Sequence, residues 1–512
     1  MLVKTYGSAV YGINATTVTV ETNINPGVNF LMVGLPDSAV KESQQRIAAA
    51  LKNNGFKIPG RNIVINMAPA DIRKEGSAYD LTIAVGILAA SEQIKSEKVS
   101  NYIIMGELSL DGGLQAIKGV LPIAIQARDE KFKGIILPKQ NAKEAAIVSG
   151  LEVHGVENIK EVIDFFNDQI VLENTTINTS DEFYSKLGEI EFDFADVKGQ
   201  ENIKRALEIA ASGGHNVILI GPPGAGKTML AKRLPTILPP MNLHEALETT
   251  KIHSVAGKMG KNTGLVATRP FRSPHHTISD VALVGGGSVP QPGEISLSHN
   301  GVLFLDELPE FKRTVLEVMR QPLEDRVVTV SRAKFSVEYP ASFMLVASMN
   351  PCPCGFYNHP EKECVCPPGV VQKYLNKISG PLLDRIDIHV EVTPVSYSEL
   401  STERFSEKSE FVRQRVVKAR EVQSKRYANN DGVHCNAQMS SKQLRDICKI
   451  DETGNQLLKT AMEKLGLSAR AYDRILKVAR TIADLDESEN IETGHLAEAI
   501  QYRSLDREGW AG

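Results

Sequence analysis

The sequence predicts a multidomain α/β protein organised around a parallel-sheet core, and three observations carry that expectation. Gly221-Pro222-Pro223-Gly224-Ala225-Gly226-Lys227-Thr228 fits G-x-x-x-x-G-K-[ST], the phosphate-binding P-loop, between an apolar run at 217–220 and a helical run at 229–234. Two further apolar runs end in polar residues: 301–305 leads into Asp306 and Glu307, and 343–349 leads into Asn350. Short apolar runs of this kind read as buried parallel strands, whose ligand-binding groups gather at their carboxyl ends. Finally, strand-like and helical runs alternate ahead of the P-loop, whereas the pattern beyond residue 396 is helical. A length of 512 residues leaves room for roughly three domains.

Composition narrows the classes. Hydrophobic content of 42% and charged content of 23% are those of an ordinary globular protein. A net charge of −4 excludes binding nucleic acid through overall charge, so any such surface is a local patch. The opening Met-Leu-Val-Lys-Thr-Tyr-Gly lacks the apolar core of a signal peptide. The longest strongly apolar run, residues 81–90, is about half the ~20 residues needed to span a bilayer. A cytoplasmic protein without a membrane partner is expected. Six cysteines in so long a chain do not suggest a disulfide scaffold.

Taken in order, residues 39–51 carry apolar positions at helical spacing, and 62–66 reads as a strand. Asn29-Phe30-Leu31-Met32-Val33-Gly34-Leu35-Pro36-Asp37, followed by Val40-Lys41-Glu42-Ser43, resembles the opening domain of the ComM/YifB family of Mg-chelatase-like AAA+ ATPases. That domain is similar to the Lon peptidase fold, which implies a ribosomal S5-like α+β domain over residues 1–172. Arg73-Lys74-Glu75-Gly76-Ser77-Ala78-Tyr79-Asp80 lies where Lon has its serine loop, and the segment from Gly106-Glu107-Leu108 to Leu137-Pro138 resembles the one bearing the catalytic lysine. Alignment puts Ala78 at the serine position and Leu121 at the lysine position, so neither nucleophile nor base is present there. Ser77 and Lys118 are nearby, but the pattern places neither of them. A binding or assembly domain is expected rather than a peptidase.

Residues 173–192 are polar and acidic and read as a linker. From 193 to 395 an AAA+ αβα core is expected, opened by Phe192-Asp193-Phe194-Ala195-Asp196-Val197-Lys198-Gly199-Gln200, which resembles the segment lying against the adenine. A helix over 201–211 leads into the P-loop strand, and the helix after the loop should stop at Pro235. Within the P-loop, backbone N–H groups of Gly221, Pro222 excepted, through Thr228 should cradle phosphate, with Pro223 likewise lacking a donor. Lys227 should reach the β- and γ-phosphates and Thr228 should ligate Mg²⁺.

Residues 251–279 contain no Asp or Glu but include Lys251, Lys258, Lys261, Arg269 and Arg272, with His253, His275 and His276. A basic insertion in a near-neutral chain suggests a phosphate-facing surface, with a solvated loop against a neighbouring subunit as the alternative. Arg269-Pro270-Phe271-Arg272-Ser273-Pro274-His275-His276 is also similar to a signature of the ComM/YifB and Mg-chelatase group, whose helix-2 insert projects toward a central pore. Next, Asp306 should hold Mg²⁺ and Glu307 should orient and deprotonate the attacking water. A helix is expected over 311–323. Val328, Val330, Val337 and Tyr339 alternate about Ser331-Arg332-Ala333-Lys334, which predicts a β-hairpin with a basic tip. It is similar to the pre-sensor-1 hairpin of helicase-like AAA+ proteins, making Arg332 and Lys334 DNA contacts alongside Lys258, Lys261, Arg269 and Arg272.

Asn350 is suited to hydrogen-bond the γ-phosphate and the water, the sensor 1 role. Immediately afterwards Cys352-Pro353-Cys354-Gly355 and Cys364-Val365-Cys366 bring four thiols into two pairs, which suits a structural tetrahedral Zn²⁺ site, while a redox pair or unliganded thiols are the alternatives. The ComM/YifB family commonly carries this set. Gly380-Pro381-Leu382-Leu383-Asp384-Arg385 resembles the AAA+ segment whose arginine reaches a neighbouring subunit's γ-phosphate, so the resemblance assigns Arg385 as an arginine finger and implies a ring, most simply a homohexamer. Residues 396–512 are expected to form a helical lid. Val412, Val416, Ala419 and Val422 share one face of a long helix, Ser440-Ser441-Lys442-Gln443 resembles a capping box, and helices follow over 453–465, 469–483 and 495–502. Ser468-Ala469-Arg470 resembles the sensor 2 arginine motif, with Arg474 as the alternative. Together these motifs imply a DNA-acting Mg-ATP motor, a branch-migration helicase in recombination and transformation. The alternatives are a magnesium-chelatase-type ATPase subunit that drives metal insertion or remodels a protein partner, and a non-catalytic scaffold that binds ATP as a switch, against which an intact Glu307 argues.

Overall fold

A computed structural model describes residues 1–186, 192–260, 263–287, 290–332, 335–357, 359, 361–394, 406–430 and 432–503. Lys261 and Lys334, both expected to meet DNA, lie outside the described residues, and only the backbone of Arg332 is described.

The N-terminal part forms a seven-stranded mixed sheet in the order Phe30–Val33, Asn62–Ala68, Asn14–Asn25, Leu2–Tyr11, Tyr102–Ile104, Gly134–Pro138, Glu152–Val156. Its first two strands are an antiparallel hairpin with Leu2 opposite Asn23 and Tyr11 opposite Asn14. Buried and less buried positions alternate along Asn14–Asn25, as a sheet with one covered face requires. The covering helix Asp80–Ala90 is buried along its whole length, which explains the continuous apolar run in its sequence. Its one charged residue, Asp80, is paired with Arg46 at 2.7 and 3.0 Å. No helix among the described residues is long and apolar enough to cross a membrane.

The second sheet has five strands, in the order Phe271–Arg272, Val302–Leu305, Met344–Met349, Val217–Ile220, Ile388–Glu391, and every pairing is parallel. The central Val217–Ile220 and Met344–Met349 are buried throughout, matching their unbroken apolar sequence. Because the P-loop strand pairs with a strand that follows it by more than a hundred residues, the order switches there, and a crevice opens at the carboxyl ends. Helices follow from Ser409–Arg426 to Thr493–Gln501, packed around Ala469–Leu485. Ser440 and Gln443 form the expected capping box of helix Ser441–Ile447.

Four local expectations are corrected. The P-loop helix continues to Ile237 through Pro235, which lies in its last turn, where little remains to be broken; Thr236 Oγ1 donates to the Arg233 carbonyl at 2.7 Å and helps close the end. The helix expected over 311–323 is two short ones, Arg313–Glu317 and Arg320–Asp325. The break falls at Val318, the residue whose carbonyl Pro322 cannot reach for lack of an N–H. The linker is partly structured: helix Thr179–Lys186 buries Phe183 in the N-terminal core, and Asn174 Oδ1 accepts from Val153 N at 2.8 Å. The basic insertion is no free loop. Met241, Ala246, Leu265 and Ala267 join the N-terminal core, and Gly119 N donates to Ser254 O at 3.1 Å. The N-terminal hairpin also meets a second antiparallel hairpin, Val327–Arg332 with Phe335–Pro340, where Tyr11 Oη donates to Ser336 O at 3.1 Å.

The lid helix is anchored to the core by charge. Arg474 lies 2.9 Å from Asp387, which is 1% exposed and also faces His215 at 3.5 Å. Burial alone would raise the Asp387 carboxyl, but Arg474 and His215 outweigh it and hold it well below the usual carboxylate range. A group with a depressed pKa stabilises the fold above its unfolded value of about 4 and loses that contribution as the pH falls through the folded value. Arg474→Ala should therefore weaken local protection of helix Ala469–Leu485 by about 3 kcal/mol at pH 7, read by amide hydrogen exchange, with the gap narrowing below about pH 4. Equal protection in parent and variant at neutral pH would refute this anchor.

Candidate active site

The strand Val217–Ile220 delivers the loop 221–226 to the start of helix Lys227–Ile237. Gly224 and Gly226 have φ of +80° and +86°, a region in which a side chain is strained, and their turn brings Lys227 back over the loop. Lys227 Nζ donates to Gly221 O at 2.7 Å, Pro222 O at 2.9 Å and Asn350 Oδ1 at 3.1 Å. All three ammonium donors are thereby engaged. Burial lowers the Lys227 pKa, against the opposing charges of Asp306 and Glu307.

Asp306 follows Val302–Leu305 and is the hub of the site. Thr228 Oγ1 donates to its Oδ2 at 2.7 Å, Ser348 Oγ donates to its Oδ1, and Glu307 N lies 3.0 Å from Oδ1. A hydroxyl beside a carboxylate at a sheet edge is the donor set for a hard divalent cation such as Mg²⁺. Glu307 has φ +54° and a side chain 58% exposed. Its Oε2 lies 3.6 Å from His276 Nδ1, and the His276 ring packs on His275 at 4.1 Å and edge-on to Phe311 at 6.4 Å. The predicted Lys227, Thr228, Asp306, Glu307 and Asn350 are thus brought to one crevice. Sequence reasoning missed two participants. Ser348 could have been found, since it shares the strand parity of Asn350. His276 was counted in the basic stretch and in the Arg269–His276 signature but was given no catalytic part, and its approach to Glu307 has no local signal.

The arginines divide differently. Arg385 is nearly buried; its Nη2 lies 2.6 Å from Glu324 and its Nη1 donates to Pro381 O at 2.5 Å. It is turned into its own chain rather than outward. Arg470 has a side chain 58% exposed and stands 4.0 Å from Asp384, whereas Arg474, the other sensor 2 possibility, is committed to Asp387. Arg269 and Arg272 do not form the expected free basic surface. Arg269 donates to Pro239 O and Asn300 O at 2.6 and 2.7 Å and pairs with Glu245 at 3.2 Å. Arg272 makes a two-pronged pair with Glu294 at 2.6 and 2.7 Å. A half-buried guanidinium needs such partners, so both cations are neutralised within the fold. Lys258 is exposed.

Cys352, Cys354, Cys364 and Cys366 form the one group of possible metal ligands found among the described residues, with all four sulfurs within 4.8 Å of one another. The separations Cys352–Cys354, Cys352–Cys364 and Cys354–Cys364 are 3.3, 3.7 and 3.5 Å. A tetrahedral thiolate set around zinc, with Zn–S near 2.3 Å, has edges of about 3.8 Å, so the donors fit. Tyr357 N and Cys354 N donate to the Cys352 and Cys366 sulfurs at 3.3 and 3.4 Å, the outer bonds that orient metal ligands. In the N-terminal domain, Ser77 Oγ donates to Glu107, Leu121 is buried in the core, and Lys118 packs over Gly257 of the insertion.

Comparison with known proteins agrees with this architecture. The family described as magnesium chelatase, subunit ChlI, matches residues 193–400; subunit ChlI of Mg-chelatase matches 20–141, and the magnesium chelatase subunit ChlI C-terminal family matches 406–503. The chain is 44% identical over 504 residues to the competence protein ComM of Haemophilus influenzae, covering 98% of this chain and 97% of that protein. It is 44% identical over 501 residues to the uncharacterised protein YifB of Escherichia coli, covering 98% and 96%. With the magnesium-chelatase subunit ChlI of Cyanophora paradoxa, identity is 23% over 359 residues, covering 61% of this chain and 96% of that protein. With a P-loop, paired acids and a polar strand end converging on one parallel-sheet edge, and with full-length likeness to these relatives, the chain belongs to the ComM/YifB family of Mg-chelatase-like AAA+ ATPases.

Proposed function

We propose that this protein is a Mg-ATP-dependent motor that acts on DNA as a homohexamer, a branch-migration helicase of recombination and natural transformation. The observation that carries the ATPase part is the convergence of Thr228 and Ser348 on Asp306, beside Lys227 and Asn350. In this reading the P-loop N–H groups and Lys227 bind the phosphates, and phosphate oxygens replace the carbonyls that Lys227 now holds. Thr228 and Asp306 would hold the Mg²⁺, which would supply neutralising positive charge at the phosphates. Glu307 accepts a proton from the attacking water, His276 orients that carboxylate, and Asn350 positions the water against the γ-phosphate. Arg470 approaches the γ-phosphate from the lid. For Arg385 to reach a neighbouring subunit's nucleotide it must exchange Glu324 for phosphate, which ties the finger to ring assembly. The four cysteines hold a structural Zn²⁺.

The DNA part is supported by the likeness to a competence protein and by the N-terminal domain's position against both the insertion and the hairpin. Its contacts reduce to Lys258, Lys261, Arg332 and Lys334, since Arg269 and Arg272 are internally paired. A magnesium-chelatase-type role is the second reading, favoured by the family matches over the core and lid. The greater span shared with ComM supports the DNA reading over it.

ATP hydrolysis by the purified protein should rise when single-stranded or four-way-junction DNA is added, and the rise should shrink with salt as counterion release is suppressed. Glu307→Gln should abolish turnover. Turnover indifferent to every DNA, yet stimulated by a porphyrin and a partner subunit, would replace the helicase reading with the chelatase one. A second measurement concerns Ser348. Without its hydroxyl, Asp306 loses an orienting bond, so Ser348→Ala should shift the Mg²⁺ concentration for half-maximal turnover upward by about 10-fold. An unshifted Mg²⁺ titration would remove Ser348 from the site.

A further inference from the structure

The P-loop is covered on one side by the turn that follows Asn350. Gly355 lies in that turn with φ +85°, and a Cβ there would sit 2.4 Å from Pro223 Cδ. The Pro223 ring has therefore approached the Gly355 backbone to a distance that only glycine permits. Pro223 directly follows Pro222, whose carbonyl holds Lys227, and Cys352 lies two residues beyond Asn350, whose side chain holds the same ammonium. The turn thus touches the phosphate cradle from two directions.

The sulfurs join the two ends of this turn. From Cys352 to Cys366 the described residues contain no helix or strand. The Gly355 N–H donates to Cys352 O at 3.0 Å, and Cys354 and Tyr357 direct N–H bonds to sulfur. Further along, His359 N donates to Phe356 O and His359 Nδ1 accepts from Glu361 N and Lys362 N, all at 3.1 Å, so these bonds order the tip while the sulfurs join its two ends. Cys352 is fully buried, while Cys354, Cys364 and Cys366 are partly exposed and all are free thiols. Four free thiols packed this closely, with no disulfide among them, form a donor set that a bound ion would hold together.

We propose that zinc held by Cys352, Cys354, Cys364 and Cys366 is the seat of the P-loop: it fixes Gly355 against Pro223 and so makes nucleotide affinity depend on metal occupancy. This rests on reading the loop as the ATP site and the cysteines as zinc ligands. When the ion is lost the turn is released, Pro223 loses its cover, and the cradle is no longer held to the tolerance that phosphate binding requires.

The test measures zinc content and the affinity of the full-length protein for a fluorescent ATP analogue with Mg²⁺. One zinc per chain is expected. Removing it with a thiol-directed mercurial and chelator, followed by reduction, should weaken the analogue's Kd by about 10-fold or more, and Zn²⁺ should restore it. Gly355→Ala should keep its zinc yet lose affinity to a similar extent, which separates the contact from the metal itself. Cys364→Ser/Cys366→Ser should lose both; should that variant not fold, stripping and Gly355→Ala still decide. Zinc-free protein that binds as tightly as the parent, parent protein without zinc, or Gly355→Ala with unchanged affinity would each overturn the proposal. Lys227→Ala is the control for the ATP reading: if it binds the analogue as the parent does, the ATP site itself is wrong, whatever the zinc result.

Discussion

The Asp306 carboxylate is the point on which the rest of the site depends. It accepts from Thr228 on the P-loop helix and from Ser348 on the neighbouring strand, and it sits at the end of Val302–Leu305. One anion therefore sets the relative height of three elements that are far apart in sequence. The parallel register beneath it, with Leu305 opposite Ala347, is what brings Asp306 level with Ser348. A one-residue slip would turn Ser348 to the other face of the sheet and leave Asp306 without that donor. The apolar uniformity of these strands does not protect the register, because a run such as Val-Leu-Phe-Leu packs acceptably in either phase. The polar residues at the strand ends do, through bonds that only one alignment satisfies.

The same logic accounts for the cations. Burial penalises an unpaired charge strongly, so a cation brought into a sheet edge takes the nearest acceptor. Lys227 takes its own loop carbonyls, Arg385 takes Glu324, Arg269 takes Glu245 and Arg272 takes Glu294. These arrangements differ in what would replace them. The partners of Lys227 are neutral carbonyls, which a phosphate outcompetes readily. Arg385 holds an exposed carboxylate, side chain 47% accessible, whose pairing is weakened by water. Arg272 holds a two-pronged pair with Glu294, the strongest geometry of the set, and so remains structural.

Much of this was legible in the sequence where the signal is local. The P-loop, the two strand ends, the capping box at Ser440 and the four cysteines each depend on residues close together in the chain. What escaped depends on distance. The absence of Asp and Glu from 251–279 suggested a free basic face, yet Glu245 and Glu294 stand just outside that window and neutralise two of its arginines. Phe183 in an otherwise polar stretch was an unread sign that the linker packs on the N-terminal core. The approaches of His276 to Glu307 and of Gly355 to Pro223 join segments dozens to more than a hundred residues apart, and no periodicity encodes either.

The lid shows how one helix serves two ends. Arg470 and Arg474 are one turn apart on Ala469–Leu485 and lie on the same side by helical geometry. Arg474 is fixed by Asp387, which is buried and also contacts His215 next to the P-loop strand. Asp387 is two residues beyond Arg385, so the proposed finger segment and the lid helix share this anchor. Arg470, one turn nearer the helix start, has only a loose partner in Asp384. A firm anchor with a loosely held cation one turn away suits the sensor role proposed for Arg470: the helix moves only together with Asp387, so it does not drift independently of the crevice. By the same coupling, a finger segment drawn toward a neighbouring subunit's phosphate would move Asp387, and through Arg474 the lid over its own crevice.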